Sequence, residues 1–303
     1  RALTLGAVAA QTKTYDGTTA ADAGKFRAAL TNAIAGDSVT ATATGATYND
    51  KNVAGASRIN YTGVGLAGAD AGNYTLAATT AQGVGTITKR TLTASAVGAQ
   101  TKTYDGTRTA DAAEFHATLG NVVAGEESSV TATATGAAYD DKNVARANAV
   151  GYTGVALQGT GAGNYTIATT AEGRGTITRR ALTLGAVAAQ SKTYDGTTAA
   201  DASKFGAVLN NVVAGDSVTA TAAGAAYNDK NVTAANRIDY TGVALAGADA
   251  GNYTLAATAA QGTGSITHRD LTLTADAQSI VQGEALPSFT GRAEGFADGE
   301  DER

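Results

Sequence analysis

Residues 12–18 read T-K-T-Y-D-G-T, residues 101–107 read the same, and residues 191–197 read S-K-T-Y-D-G-T. The three tyrosines, Tyr15, Tyr104 and Tyr194, stand 89 and 90 residues apart. A fixed internal period means tandem modules, and it replaces the estimate of about two domains that length alone would give. Outward from this string, other motifs keep the same register. R-x-L-T recurs at Arg1, Arg90, Arg180 and Arg269, and A-G-N-Y-T recurs around Tyr74, Tyr165 and Tyr253. The expected modules are 1–89, 90–179 and 180–268, with 269–303 as the start of a fourth unit.

All 12 tyrosines fall on four repeat positions: Tyr15/104/194, Tyr48/139/227, Tyr61/152/240 and Tyr74/165/253. Phe26, Phe115 and Phe205 share a fifth position. Aromatics in every copy read as core anchors, since each buries a large area. Module 2 carries small length changes, notably Gly125-Glu-Glu-Ser-Ser-Val130 against Gly36-Asp-Ser-Val39, and these mark loops.

Between the motifs run short alternating stretches rich in Thr, Val, Leu and Tyr, broken by Gly, Asn and Asp, which is the pattern of strands. Ser38–Thr44 alternates hydroxyl and apolar residues, and Ile59 and Tyr61 fall on one face of 58–64. Residues 20–34 are ambiguous. Phe26, Leu30 and Ile34 have helical spacing, yet Phe26, Ala28, Leu30, Asn32 and Ile34 also alternate. The β surroundings favour strand, with a short helix as the alternative. Asp16-Gly17, with Asp105-Gly106 and Asp195-Gly196, supplies the residue tolerant of positive φ that a tight turn needs. About seven short strands in some ninety residues predict an all-β fold of tandem immunoglobulin-like β-sandwich modules in an elongated array. Asp70–Tyr74 looks like the corner of such sandwiches in which a tyrosine hydroxyl bonds to backbone a few residues upstream.

Composition narrows the function. The net charge is −5, so the chain lacks the basic surface that phosphate backbones or anionic lipids require. No nucleic acid and no membrane insertion are expected. The absence of cysteine removes thiolate metal sites and cysteine nucleophiles, and leaves any extracellular fold without disulfides. The chain lacks methionine and opens and stops inside repeats. It therefore reads as part of a longer protein whose targeting signals lie elsewhere.

T-K-T-Y-D-G-T at 12–18, N-D-K-N-V at 49–53 and G-A-D-A-G-N-Y-T-L at 68–76 resemble, in that order and three times over, the YDG-type repeat of filamentous-hemagglutinin-like adhesins of Gram-negative bacteria. The resemblance covers about residues 1–268. The tail, with Leu271–Ile280, Gly283–Pro287 and Gly295-Phe296, is similar to the start of the related MBG-type repeat. The resemblance implies a secreted or surface-attached protein, exported by two-partner or similar secretion and serving adhesion or biofilm formation. In it these repeats act as spacers. It carries over no catalytic residue and no cofactor.

Sharper chemistry finds little purchase. Gly63-Val-Gly-Leu-Ala-Gly68 matches the dinucleotide fingerprint, but Ala156 and Ala244 replace its second glycine and no helix is expected to follow. The two histidines, His116 and His268, are not repeat-equivalent, so no base–nucleophile pair recurs. An enzyme is not expected. Asp50, Asp70 and Asn73 are weak calcium candidates, because oxygen ligands suit that ion. Module 2 lacks the Asp70 equivalent, and turn formation explains these residues without metal. Asn73, Asn164 and Asn252 head N-x-T sequons, which read first as polar turns before buried tyrosines. A Lys–Asn cross-link through Lys13 or Lys51 ranks low.

The joints at 88–92, 178–182 and 267–271 contain no Gly/Ser or Pro linker. Short joints limit bending, so the expectation is a semi-rigid, monomeric rod that grows by about 35–45 Å per module. Its partners would be its own neighbouring repeats, with host-cell or matrix glycans bound through other regions. The rival reading is a glycan- or matrix-polysaccharide-binding module acting through loops at the module ends. Variable positions such as Thr19/Arg108, Val84/Arg174 and Ala54/Thr233 favour the spacer, because they place change on the surface.

Overall fold

The computed structural model describes residues 1–302. Its regular structure is β throughout, with short 3-10 turns and no α-helix among the described residues. The modules are β-sandwich-like and arranged in tandem, as the alternation predicts.

In module 1 the strands are β1 (Ala2–Val8), β2 (Gln11–Thr14), β3 (Ala28–Thr31), β4 (Thr40–Thr42), β5 (Gly45–Tyr48), β6 (Arg58–Thr62), β7 (Gly65–Ala67), β8 (Thr75–Leu76) and β9 (Thr80–Thr88). One sheet has the order β2-β9-β6-β5. The other layer is made of β3-β1-β8 and the pair β4-β7. Most pairs are antiparallel, but β2 runs parallel to β9 and β1 runs parallel to β8. The same orders recur in module 3.

Period-two alternation builds the core. Ile59 and Tyr61 of β6 and Ile87 of β9 point inward, while Arg58 and Thr62 of β6 and Thr86 and Thr88 of β9 face water. Leu5, Leu30, Ala41 and Leu76 of the second layer pack against them. Gly85 keeps this core closed without a side chain, since a Cβ there would lie 2.6 Å from Ile59 and 2.9 Å from Tyr48. Phe26 tilts onto Tyr61 with ring centroids 4.6 Å apart, and Phe115–Tyr152 and Phe205–Tyr240 repeat the contact at 4.9 and 4.7 Å. One buried polar group belongs to the core: Gln11 donates through Nε2 to the Tyr61 hydroxyl (2.7 Å) and to the Asp22 carbonyl (2.9 Å). Gln100 and Gln190 do the same.

Residues 20–34 resolve into three pieces rather than one strand. The Asp22 carboxylate accepts from Gly24 N–H (2.8 Å) and caps a 3-10 turn over Ala23–Lys25. Phe26 then enters the core, and only Ala28–Thr31 is strand, paired with β1. At Asn32 the chain turns with φ +69°. The alternation expected through Ile34 therefore ends at Leu30, and Ile34 is 51% exposed.

The chain divides into two compact units. The first holds residues 1–100, 109–140 and 148–175, and the second holds 101–108, 141–147 and everything described from Thr176 onward. In the second unit the tail forms a hairpin of Thr272–Ala275 with Gly291–Glu294. A lone two-stranded hairpin covers little apolar surface, and Leu273, Val281, Leu286 and Phe289 are exposed.

Candidate functional site

The side chains of the repeated motifs converge at the module ends. Tyr15 follows β2, and its N–H donates to Thr88 O (2.9 Å), which pins it beside the end of the last strand. Tyr165 belongs to Tyr165–Thr166, which pairs with Arg90–Thr91, the first residues of the next module. Only Lys89 separates Thr88 from Arg90. The joint thus brings the exit tyrosine of one module against the entry tyrosine of the next. Their rings meet edge to face, with centroids 5.3 Å apart and planes at 81°. In the second unit Tyr104 is pinned to Thr178 O (2.9 Å), Tyr253 pairs with Arg180, and the rings lie 5.4 Å apart at 77°.

A carboxylate joins each pair. Asn121 (φ +72°) and Gly125 (φ +86°) fold residues 121–126 into a turn closed by Glu126 N–H donating to Val123 O (3.0 Å). Tyr15 donates to Glu126 Oε1 (2.6 Å) and Tyr165 donates to Glu126 Oε2 (2.7 Å). The Tyr165 hydroxyl also accepts from Val123 N–H (3.1 Å). In the second unit Tyr104 (2.9 Å) and Tyr253 (2.6 Å) both donate to Asp216 Oδ2, and Val213 N–H donates to Tyr253 (2.9 Å). Hydrogen bonds to an ionised acceptor are about twice as strong as neutral ones. Arg90 Nε ties the turn to its own first strand by donating to Asn121 O (2.8 Å), and Arg180 does so with Asn211 O (2.8 Å).

These surroundings shift the ionisations apart. Burial opposes the charge on Glu126, but the hydroxyls of Tyr15 and Tyr165 and the Lys51 ammonium 3.7 Å away hold its carboxyl below the usual range. Burial first, and then the neighbouring carboxylate, push the phenols of Tyr15, Tyr104 and Tyr165 up, and that of Tyr253 up to about 12.

A second clasp lies beside each triad. Asp50 Oδ1 accepts from Asn52 N–H (2.7 Å) and Asn52 Nδ2 (3.0 Å), which shapes the N-D-K-N-V loop. That loop presents Val53 N–H and Asn52 Oδ1 to one asparagine: Asn164 accepts from Val53 (2.9 Å) and donates to Asn52 (2.9 Å). Asn252 makes the same fork with Val144 (2.9 Å) and Asn143 (3.0 Å).

The expected site residues are thereby placed. Tyr15, Tyr104 and Tyr194 are exit tyrosines, and Tyr74, Tyr165 and Tyr253 are entry tyrosines. The entry hydroxyls do not bond to backbone a few residues upstream. They reach a loop some forty residues back, as Tyr74 does to Ile34 N–H (3.0 Å) and Asp37 (2.6 Å), because the two-layer fold sets that loop over the ring. Asp16 accepts from Lys13 (2.7 Å) and from Thr18 N–H (2.9 Å), making the D-G turn, and Asp105 and Asp195 repeat it. Hydrogen bonding from Lys192 lowers the Asp195 carboxyl to about 2. Gly17 (φ +77°) and Gly106 (φ +78°) each face a valine of the next turn, where a Cβ would lie 2.9 Å from Val123 or Val213. Gly196 (φ +77°) faces Ala297.

Asp50, Asp70 and Asn73 do not converge on a common point. Asp70 accepts from Ser38 N–H (2.8 Å), Asp50 shapes its loop, and Asn73 lies exposed at the entry end. Among the described residues no group of three or more His, Cys, Asp or Glu stands together to hold a metal. Where Gly161 replaces the Asp70 equivalent, its N–H still donates to Ser129 O (3.0 Å). Two of the three sequon asparagines, Asn164 and Asn252, are buried in the clasps. Lys13 Nζ is held by Asp16, Thr18 and Ala20 and lies 5.2 Å over the Tyr48 ring. The Gly63–Gly68 fingerprint is a turn followed by β7. The carboxylates Asp37, Glu126 and Asp216 were not singled out from sequence. Their signal is a Gly-Asp/Glu pair in register in all three copies, hidden because it coincides with the module 2 insertion.

A comparison with curated proteins finds no match. Among solved structures, the protocadherin gammaB4 extracellular domain is similar at 6% identity and a TM-score of 0.33, over 95% of this chain and 56% of that one. The human desmocollin-1 ectodomain is similar at 8% identity and a TM-score of 0.23, over 93% of this chain and 64% of that one. The chain spans less than two thirds of either protein, and at these scores neither likeness bears on what it does. The YDG domain model matches residues 1–81, 88–172 and 178–260. Those three matches take in most of the sequence, and the chain belongs to the YDG domain family.

Proposed function

We propose that this chain is a spacer: a run of stiffly coupled YDG modules in a large secreted or cell-surface bacterial adhesin, which sets a distal binding region away from its attachment. The carrying observation is the joint. One residue connects the modules, and beside it two tyrosines share one carboxylate while an asparagine fork clasps the neighbouring loop. Each of these groups is bonded to its neighbour across the joint, so what the repeat preserves is the coupling between copies. The tyrosines of the three modules are buried or half-buried, which favours a spacer over a glycan-binding module needing exposed rings. The reading includes no catalysis and no cofactor, and the chain is a monomer when dilute. Small-angle scattering of the full chain tests it. The expected maximum dimension exceeds about 100 Å. A compact particle would overturn the reading.

A further inference from the structure

Alternate residues of the Y-D-G turn face different ways. Tyr15 and Gly17 face the next module: Tyr15 donates to Glu126 Oε1 (2.6 Å), and Gly17 lies against Val123. Asp16, Thr18 and Ala20, between and beyond them, close around one ammonium. Lys13 Nζ donates to Asp16 Oδ1 (2.7 Å), Thr18 O (2.9 Å) and Ala20 O (3.0 Å), and Thr18 Oγ1 stands 3.2 Å away. The Tyr48 ring covers another side, its centroid 5.2 Å from Nζ. The second joint repeats the alternation. Tyr104 donates to Asp216 and Gly106 meets Val213, while Lys102 Nζ donates to Asp105 Oδ1 (2.8 Å), Thr107 O (2.9 Å) and Thr107 Oγ1 (3.0 Å). In module 3 Lys192 is held by Asp195 (2.7 Å), Thr197 O (2.8 Å) and Ala199 O (3.0 Å).

These oxygens form a cation cage, and the cation is tethered to the chain. An ammonium has three donors, and the Asp16, Thr18 and Ala20 oxygens take all three. The Lys13 side chain is only 17% exposed, so water supplies little of its solvation. The cage suits a large monovalent ion. Calcium takes about six to eight oxygens at roughly 2.3–2.6 Å, whereas here four oxygens stand at 2.7–3.2 Å and a single carboxylate balances a single charge.

We infer that the Y-D-G turn is a monovalent-cation site whose resident ion is the module's own lysine, and that this lysine positions the joint. The oxygens of residues 16, 18 and 20 fix the backbone that carries Tyr15 and Gly17, so Nζ sets the face offered to Glu126 and Val123. Because the ion is tethered, the joint keeps its shape in any ionic medium. Emptied of its lysine, the cage takes potassium or ammonium, which match Nζ in charge and size. The inference deepens the joint reading above, and the two fail separately. A compact particle in scattering would refute the rod and leave the cage, and a failure of the exchange experiment below would refute the cage and leave the rod.

Hydrogen exchange of the full chain, read by peptide mass spectrometry in buffers that differ only in their cation, is the test. Wild type should exchange at the same rate in tetramethylammonium and in potassium chloride, because its cages are full. In tetramethylammonium, an ion too large for the cage, Lys13→Ala should speed exchange about tenfold or more at 15–20 and at 121–126, as expected for a lost hydrogen bond to a charged group. The core strand at 59–61 should be spared. Potassium or ammonium at equal ionic strength should restore most of the protection. Lys13→Met, whose methyl group crowds the cage, should loosen both segments and ignore the cation. Should Lys13→Ala also open 59–61, potassium should refold it. Exchange at 121–126 that stays at the wild-type rate in both variants would overturn the positioning role. A Lys13→Ala chain that behaves alike in all three cations would overturn the site.

Discussion

At Gly17 two demands meet on one residue. Its φ of +77° is costly for any residue with a Cβ, and a Cβ would strike Val123. Gly36, with φ +101° and nothing within 4 Å, meets only the first demand. A left-handed conformation costs a non-glycine residue about 1–2 kcal/mol. Gly36→Ala should therefore destabilise by that amount in denaturant titrations, and Gly17→Ala by more, the excess being the strained joint. The shared carboxylate sets a pH window. The Glu126 carboxyl is depressed in the folded chain, so its contribution is present above the unfolded carboxyl range and is lost as pH falls through the folded value. The Tyr15, Tyr104 and Tyr253 phenols are raised from an ordinary value of 10.0, so theirs is present below about 10 and lost as pH climbs through the folded values. Stability should thus plateau through neutral pH and fall on both sides. Tyrosinate absorbance should show these phenols ionising last, with Tyr253 near 12. Ionisation of every tyrosine together near pH 10 would contradict the triads.

Between residues and whole modules lie the loops, where the clasps are made. Asn164 both accepts and donates across the joint, whereas a carboxylate can only accept. Asn164→Asp should therefore leave the Asn52 oxygen unpaired and cost about 1–3 kcal/mol. Asn73→Asp, at the uncovered equivalent, should be near neutral. Equal effects at the two positions in thermal unfolding would argue against the fork. The strands themselves were legible. Ile59 and Tyr61 alternate with polar neighbours in a run too short for a helix, and the tyrosine register marked the core. The stretch from Asp22 to Asn32 was not, because a side-chain cap, a buried phenylalanine and a left-handed asparagine break it into pieces that periodicity reads as one. The joint was half legible. Tyr15, Asp16, Gly17 and Tyr74 stood out by repetition, but the acid and the asparagine fork link residues more than a hundred positions apart, and nothing local in the sequence reports such a pairing.

Modules 1 and 3 each place their second strand beside their last and parallel to it. In module 1 Gln11–Thr14 runs alongside Gly85–Thr88, and in module 3 Gln190–Thr193 runs alongside Gly264–Thr267. A chain anchored at one end and tugged at the other draws these strands past each other along their length. The ladder then bears the load across all its hydrogen bonds at once, instead of opening one bond at a time like a zip. Single-molecule stretching of the whole chain should accordingly show each module yielding in one abrupt event at high force. Lys13→Pro, which removes a donor on the side of that strand facing the last one, in phase with the Tyr15 N–H that bonds Thr88 O, and locks its φ, should lower the force of one event and spare the others. A gradual, low-force extension would mean that the parallel ends do not brace the module, and that this molecule is built for reach without tensile strength.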